Sequence, residues 1–209
     1  MKITVFGSTG RTGSHVLSEG LRRGHEITAF TRRPDALTNP QPGTPLAPAA
    51  VVHGDGRDPA AVREAITGAD AVIAIIAASS RNGPHQAAEV VSQIIGQMTD
   101  LGVRRLVVTS AYPIVADKPR VPIALLRWFL ATAYADSAAM AQTVRASNLD
   151  WTIAYLTRLT NKPGVGSFRI SHELFRKTSP ITRADAAAAL LDIAEDATLA
   201  KTEVNVAGA

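Results

Sequence analysis

Ile3-Thr4-Val5-Phe6-Gly7-Ser8-Thr9-Gly10-Arg11-Thr12-Gly13 is the stretch that decides how the rest of the chain is read. Residues 3–6 make a short apolar strand. From Gly13 to Arg23 the spacing turns helical, with Val16, Leu17 and Leu21 on one side and a stop at Gly24. A bare Gly-x-x-Gly-x-x-Gly pattern is weak evidence, but between a strand and a helix it is informative. Gly7 permits the tight turn, Gly10 lets the backbone approach a pyrophosphate, and Gly13 lets the helix sit close on a sheet. The N–H groups of the first helical turn, backed by the helix dipole, then point at the anion. The stretch is therefore expected to bind a dinucleotide.

Outward from this turn, strands and helices alternate. A second strand is expected over 25–31, followed by a proline-rich loop, 34–48, in which no regular element should persist. Val51 and Val52 begin a third strand ending at Gly54-Asp55-Gly56. Asp58-Pro59 is a helix start, with Asp58 as cap and Pro59 in the first turn. Residues 70–77 are continuously apolar, as in a parallel strand buried on both faces. The next helix puts Val90, Val91, Ile94, Ile95 and Met98 on one face. A fifth strand over 105–110, a helix from about 137 to 146 and a sixth strand over 150–155 follow. Thr182-Arg-Ala-Asp185 resembles a capping box opening an alanine-rich helix, and 203–206 is a last strand. This order calls for an α/β fold: a doubly wound, Rossmann-like parallel sheet in one domain over 1–209. Segments 113–135 and 156–180 are its small substrate-side elaboration.

Composition bounds the function. The chain has 209 residues, 46% hydrophobic but only 5% aromatic, enough for one well-filled core. With no cysteine, disulfide and thiolate chemistry are excluded; the five histidines are dispersed, so no metal site is expected. The formal charge is +4 and the pI about 9.8, yet the basic residues are scattered, which argues for an anionic small molecule and against nucleic acid. The longest apolar run, 121–133, is broken by Arg127, whereas a membrane span needs about 20 apolar residues. It is read as a lid, a substrate wall or a subunit contact, the last implying a homodimer. The apolar start of the chain is too short for a signal peptide, so a cytoplasmic protein is expected.

The second strand ends in Thr31-Arg32-Arg33-Pro34. An NAD-binding chain places Asp or Glu about 20 residues after the glycine turn, on the ribose hydroxyls. Here Arg32 and Arg33 stand there, and a guanidinium holds a 2′-phosphate through paired, charge-assisted hydrogen bonds. Arg11 could reach the same phosphate, although any one of these arginines is alternatively a solvated loop charge. NADP(H) is thus the expected cofactor. Asp55 stands where such folds contact the adenine amino group, with a turn residue capping the next helix as the equal alternative.

These residues resemble the atypical short-chain dehydrogenase/reductases, in the NAD(P)H-binding, NmrA-like branch that includes the biliverdin-IXβ reductase/flavin reductases. The resemblance rests on Gly7-Ser-Thr-Gly-Arg-Thr-Gly13, Thr31-Arg32-Arg33, Val52-His-Gly-Asp55, Ala69-Asp-Ala-Val-Ile73 and Val107-Val-Thr-Ser-Ala-Tyr112. It continues through Arg145-Ala-Ser-Asn-Leu-Asp-Trp-Thr-Ile153 and Ile181-Thr-Arg-Ala-Asp185, covering nearly the whole chain. It implies reduction of a flat, conjugated acceptor such as a flavin, quinone or tetrapyrrole. By the same resemblance Gly7, Thr9, Gly10, Arg11, Thr12, Gly13, Arg32 and Asp55 fall on cofactor positions. Ala77 and Ala78 would line the nicotinamide-ribose side, and Ser110 would lie beside the nicotinamide. The chain departs from the pattern at Tyr155-Leu156-Thr157, where relatives often have Arg-Pro or Pro-Pro. Arg158, on the substrate side, replaces a histidine.

The usual proton-donating pair of this enzyme class, Tyr-x-x-x-Lys, is absent: four residues after Tyr112, Tyr134 and Tyr155 come Ala116, Ala138 and Leu159. A serine-hydrolase elbow is also missing. Hydride transfer to an electron-poor acceptor does not need that pair, because the cofactor brings the chemistry and the protein brings orientation. Ser110 could then hydrogen-bond the carboxamide or acceptor, and Tyr112 could stack or donate; otherwise both are ordinary polar residues at a strand end. An NADPH-dependent reductase and a non-catalytic NADP(H) sensor of the NmrA-like type both remain open. No base pair supports an epimerase or dehydratase.

Overall fold

The computed structural model describes residues 1–38, 48–76, 86–112 and 131–209. The strands are β1 (Lys2–Phe6), β2 (Glu26–Thr31), β3 (Ala50–His53), β4 (Ala71–Ala74), β5 (Arg105–Ala111), β6 (Asp150–Leu156), β7 (Leu159–Thr160), β8 (Phe168–Ser171), β9 (Ile181–Thr182) and β10 (Thr202–Gly208). Between them run α1 (Gly13–Arg22), α2 (Asp35–Thr38), α3 (Pro59–Ile66), α4 (Gln86–Leu101), α5 (Ala131–Ala146) and α6 (Arg183–Glu195).

Eight strands form one sheet in the order β3-β2-β1-β4-β5-β6-β10-β8. Every pairing in it is parallel except the last, where Val206 of β10 faces Ile170 of an antiparallel β8. The strand order reverses beside β1, which pairs with both β2 and β4, and a doubly wound sheet opens a crevice at such a reversal. Strands β1 and β4 are buried on both faces, which is why Ile3-Thr-Val-Phe6 and Ala71-Val-Ile-Ala74 carry no polar alternation.

Helices α1 and α6 cover one face, meeting each other over Val16, Leu17, Leu190 and Leu191. The other face is covered by α3, α4 and α5, with Val62, Val91, Ile94, Met98, Met140 and Val144 packed onto β4 to β6. Asp58 caps α3 by accepting the Ala60 N–H at 3.0 Å, ahead of Pro59 in the first turn. In the capping box, the Thr182 hydroxyl accepts the Asp185 N–H at 3.0 Å and donates to that carboxylate at 2.7 Å.

Three features correct the sequence expectations. The four-residue helix α2 lies inside the loop expected to lack regular structure; Asp35 opens it just past Pro34, where the ring cannot interfere. Helix α5 is already formed at Ala131, ahead of the expected start near 137. The segment 156–180 contains strands β7 and β8, and β7 pairs with β9 in a separate two-stranded sheet. These were invisible because each pairing is short and long-range.

Candidate cofactor-binding site

The glycine turn leaves β1 at the crevice. Gly7 has φ +75°, and a Cβ there would lie 2.1 Å from the Ile75 carbonyl oxygen just past β4. Gly13 has an ordinary φ but no room: its Cβ would lie 2.1 Å from the Gly7 oxygen, so α1 starts in direct contact with the turn. At Gly10 a Cβ would meet that same oxygen at 3.0 Å and, among the described residues, no further atom within 4 Å beyond its chain neighbours. The Thr12 side chain does not cap α1, and the first turn has no acidic residue, so among the described residues its initial N–H groups have no side-chain acceptor. Ser8 donates to the Phe30 carbonyl at 2.8 Å, and the Thr9 and Thr31 hydroxyls share a hydrogen bond of 3.0 Å. Both bonds fasten the turn to the end of β2.

Thr31 also accepts the Arg33 N–H at 2.9 Å, which fixes the bend that brings Arg32 and Arg33 beside the turn. The Gly54 N–H donates to the Thr31 carbonyl at 3.1 Å, carrying Asp55 to the same rim. A cleft of about 330 Å³ results, lined by Gly7, Thr9, Gly10, Arg32, Arg33 and Asp55 over an apolar floor of Phe6, Phe30, Ile75, Ile76 and Val90. Arg11 is exposed at the head of α1, while Thr12 and Gly13 are buried behind the cleft.

Arg57 joins this lining without having been singled out from sequence. Its Nε and Nη2 donate to the two Asp55 carboxylate oxygens at 3.0 and 2.8 Å, and its backbone N–H donates to Oδ1 at 2.9 Å. Arg57, with added attraction from Arg32, holds the Asp55 carboxyl at about 2, below its ordinary 3.8. At neutral pH the rim therefore has three guanidinium groups against one ionised carboxylate, a net surplus of positive charge. The Asp-x-Arg spacing was the available signal, since an Asp side chain commonly bonds the backbone two residues on.

The residues expected to face an acceptor are less gathered. Ser110 lies on β5 past Val108, the residue opposite the last position of β4, so it stands at the carboxyl edge of the sheet. Its hydroxyl oxygen is buried and, among the described residues, has no hydrogen-bond partner. Tyr112 is buried beyond it, and its hydroxyl accepts the Phe175 N–H at 2.9 Å and reaches the Phe175 carbonyl at 3.5 Å. Their rings stack 5.9 Å apart, and the Arg169 guanidinium lies 4.8 Å from the Phe175 ring centre. Tyr112 is thereby a pin for the segment after β8, in place of the free donor the sequence suggested. Arg158 is exposed after β6. Ala77 and Ala78 lie outside the described residues, as does most of 113–135.

Two buried carboxylates shape the surroundings: Asp136 was not singled out from sequence, and Asp185 was read only as part of the capping box. Asp136 on α5 accepts the N–H groups of Ala87 and Ala88, each at 3.1 Å, and so satisfies the first described turn of α4 from another helix. Asp185 accepts N–H bonds from Val165 at 3.0 Å and Gly166 at 2.8 Å, clamping the loop before β8. Among the described residues no helix is long and apolar enough to cross a membrane, and no three potential ligands gather for a metal.

Comparison with known proteins gives this cleft its context. An uncharacterized protein of Mycobacterium tuberculosis (strain ATCC 25618 / H37Rv) is 31% identical over 122 residues, 58% of this chain. Those residues are 13% of the relative's own length, so the chain spans about an eighth of it. Solved structures of similar fold include a short-chain dehydrogenase/reductase from Veillonella parvula DSM 2008 in complex with NADP, with TM-score 0.81 and 20% identity. That alignment covers 99% of this chain and 94% of the other. ChuY, an anaerobillin reductase from Escherichia coli O157:H7, aligns with TM-score 0.77 and 19% identity over 100% of this chain and 97% of its own. Residues 7–197 match the NAD(P)H-binding family, a span that starts at the first glycine of the turn and ends just past α6. The chain belongs to the NAD(P)H-binding family.

Proposed function

We propose that the chain is an NADPH-dependent reductase of flat, conjugated acceptors such as flavins, quinones or tetrapyrrole-like molecules. The observation that carries the reading is the charge of the cleft rim: Arg32 and Arg33 follow the end of β2, and among the described residues the carboxylate that lines the cleft, Asp55, is engaged by Arg57. A 2′-phosphate meets attraction there, whereas the ribose hydroxyls of NADH find no free carboxylate among the described lining residues. The space left at Gly10 among the described residues and the uncapped start of α1 suit the pyrophosphate. The buried Ser110 hydroxyl, unpartnered among the described residues, suits a ligand amide, because such a group left unbonded costs about 1–3 kcal/mol.

When bound, the cofactor supplies the hydride. The protein's own part is orientation and exclusion of water: the apolar floor keeps one side dry, and Ser110 fixes the ligand at the strand edge. A conjugated acceptor spreads the arriving charge over several heteroatoms and so needs no Tyr-x-x-x-Lys pair. That ChuY is an anaerobillin reductase, and that a structural neighbour was crystallised with NADP, support this class of cofactor and acceptor.

The second reading, a non-catalytic NADP(H) sensor, is favoured by one observation, the engagement of the Tyr112 hydroxyl by Phe175. Titration with NADPH and NADH, then NADPH oxidation followed by absorbance with FMN, a quinone and an aliphatic ketone, separates the outcomes. The reductase prefers NADPH about tenfold or more and turns over FMN or quinone but not the ketone. Tight NADPH binding without oxidation by any acceptor establishes the sensor. Equal affinity for the two cofactors refutes the role given to Arg32 and Arg33, and rapid ketone reduction refutes the acceptor class.

A further inference from the structure

The tripeptide Asp55-Gly56-Arg57 is held more rigidly than a surface turn requires. A Cβ on Gly54 would lie 2.5 Å from the Ala61 side chain, and one on Gly56 would lie 2.6 Å from Val90. Both neighbours are thus pressed onto helices α3 and α4, and the Asp58 N–H closes the turn by donating to the Asp55 carbonyl at 2.9 Å. The Asp55 and Arg57 side chains, which are roughly two-fifths and half exposed, have little choice but to lie along the cleft.

Their pairing is asymmetric. Asp55 accepts three hydrogen bonds from Arg57, two at Oδ1 and one at Oδ2. Arg57 uses only its Nε and one N–H of Nη2 in return. A guanidinium carries five N–H donors in a plane, so three remain, both on Nη1 and the second on Nη2. Those three take no part in the bonds to Asp55. Three of the carboxylate's roughly four acceptor sites are taken by its neighbour, while the cation keeps three N–H donors for an anion.

We infer that Arg57 is a third specificity-determining cation for the cofactor's 2′-phosphate, and that Asp55 is a positioning residue that aims it, not a direct ligand of adenine. The inference rests on the NADPH reading above and assigns part of that preference to a residue outside the β2 end. An arginine already held in a two-point fork loses little side-chain freedom on binding phosphate, which makes its contact more effective than that of a free surface arginine.

Calorimetric titration with 2′,5′-ADP and 5′-AMP isolates this end of the cleft from any catalysis. The wild type should bind 2′,5′-ADP more tightly, and equal binding refutes the underlying NADPH reading itself. Given that preference, Arg57→Ala should weaken 2′,5′-ADP about tenfold while changing 5′-AMP less than about twofold. Arg57→Lys should recover part of the loss, because it restores charge without the fork. Asp55→Asn should repeat the selective loss at smaller size. If Arg57→Ala leaves 2′,5′-ADP binding unchanged, or if Asp55→Asn weakens both nucleotides equally, Asp55 contacts adenine directly and the inference is overturned. Unchanged circular dichroism in the three variants confirms that the fold is intact, as their exposure predicts.

Discussion

Gly13→Ala and Gly10→Ala should separate the two tasks of the glycine turn. At Gly13 the added methyl would lie 2.1 Å from the Gly7 carbonyl oxygen, with further contacts at 2.9 Å to the Gly7 and Ser8 backbones. Ordinary contact begins at 3.4 Å, so the deficit exceeds 1 Å, and all three atoms are main chain that no rotamer change can move. Relief requires α1 to lift from the sheet, and with it Val16 and Leu17, both buried. Overpacking of this kind costs about 1–3 kcal/mol or more. In a chain this long, each kcal/mol lowers Tm by roughly 2–4 °C, so a fall of about 5–10 °C is expected. At Gly10 the single contact of 3.0 Å needs a shift of a few tenths of an ångström, and φ is not in the left-handed region, so Tm should stay within about 3 °C. NADPH at a hundred times its Kd stabilises by about 2.7 kcal/mol, a rise of roughly 5–10 °C in the wild type. Gly10→Ala should abolish that rise, because its methyl occupies the anion's place. Differential scanning fluorimetry with and without NADPH reads both effects. A full ligand-induced rise in Gly10→Ala refutes the pyrophosphate placement, and a wild-type Tm for Gly13→Ala refutes the steric argument.

Glu19, hydrogen-bonded by Arg22 and Arg23, is held at about 2, below its ordinary 4.5 despite partial burial. Its contribution is complete above pH 4.5 and is lost as pH falls towards 2, so Tm profiles of wild type and Glu19→Gln should converge in that window. Arg105 is buried and donates to the Asp150 carbonyl at 2.8 Å and to the carbonyls of Ile193, Ala194 and Asp196 at the end of α6. Arg105→Met strands those acceptors and should cost about 3 kcal/mol in urea unfolding; a loss below about 1 kcal/mol would show that water replaces the side chain. Asp136→Ala removes the acceptor at the first described turn of α4 and should cost about 1–2 kcal/mol, with faster amide exchange at Ala87 and Ala88. Unchanged exchange there would contradict the cap.

The contrast between the two ends of the site explains what could be read from sequence. Gly7 and Gly13 answer steric demands set within a few residues, and the strand before them is apolar on both faces, so one local stretch carried the fold and the cofactor loop. The place of Arg32 and Arg33 beside the turn was legible for the same reason, since they sit at a fixed chain distance from it. Arg57 was half-legible: its bond to Asp55 is local, but only the packing of Gly54 on Ala61 and of Gly56 on Val90 turns the pair towards the cleft. The engagement of Tyr112 was not legible, because its hydroxyl bonds Phe175, 63 residues on, and no periodicity announces such a partner. Strand β8 likewise exists through pairing with β10, and the loop before it through the Asp185 clamp, neither of which leaves a local pattern. The glycine turn is thus written in short-range geometry, whereas the segment 156–180 is assembled from contacts distant in the chain. Under the proposed reductase reading, substitutions in 156–180 should change which acceptor is used while leaving nucleotide affinity intact.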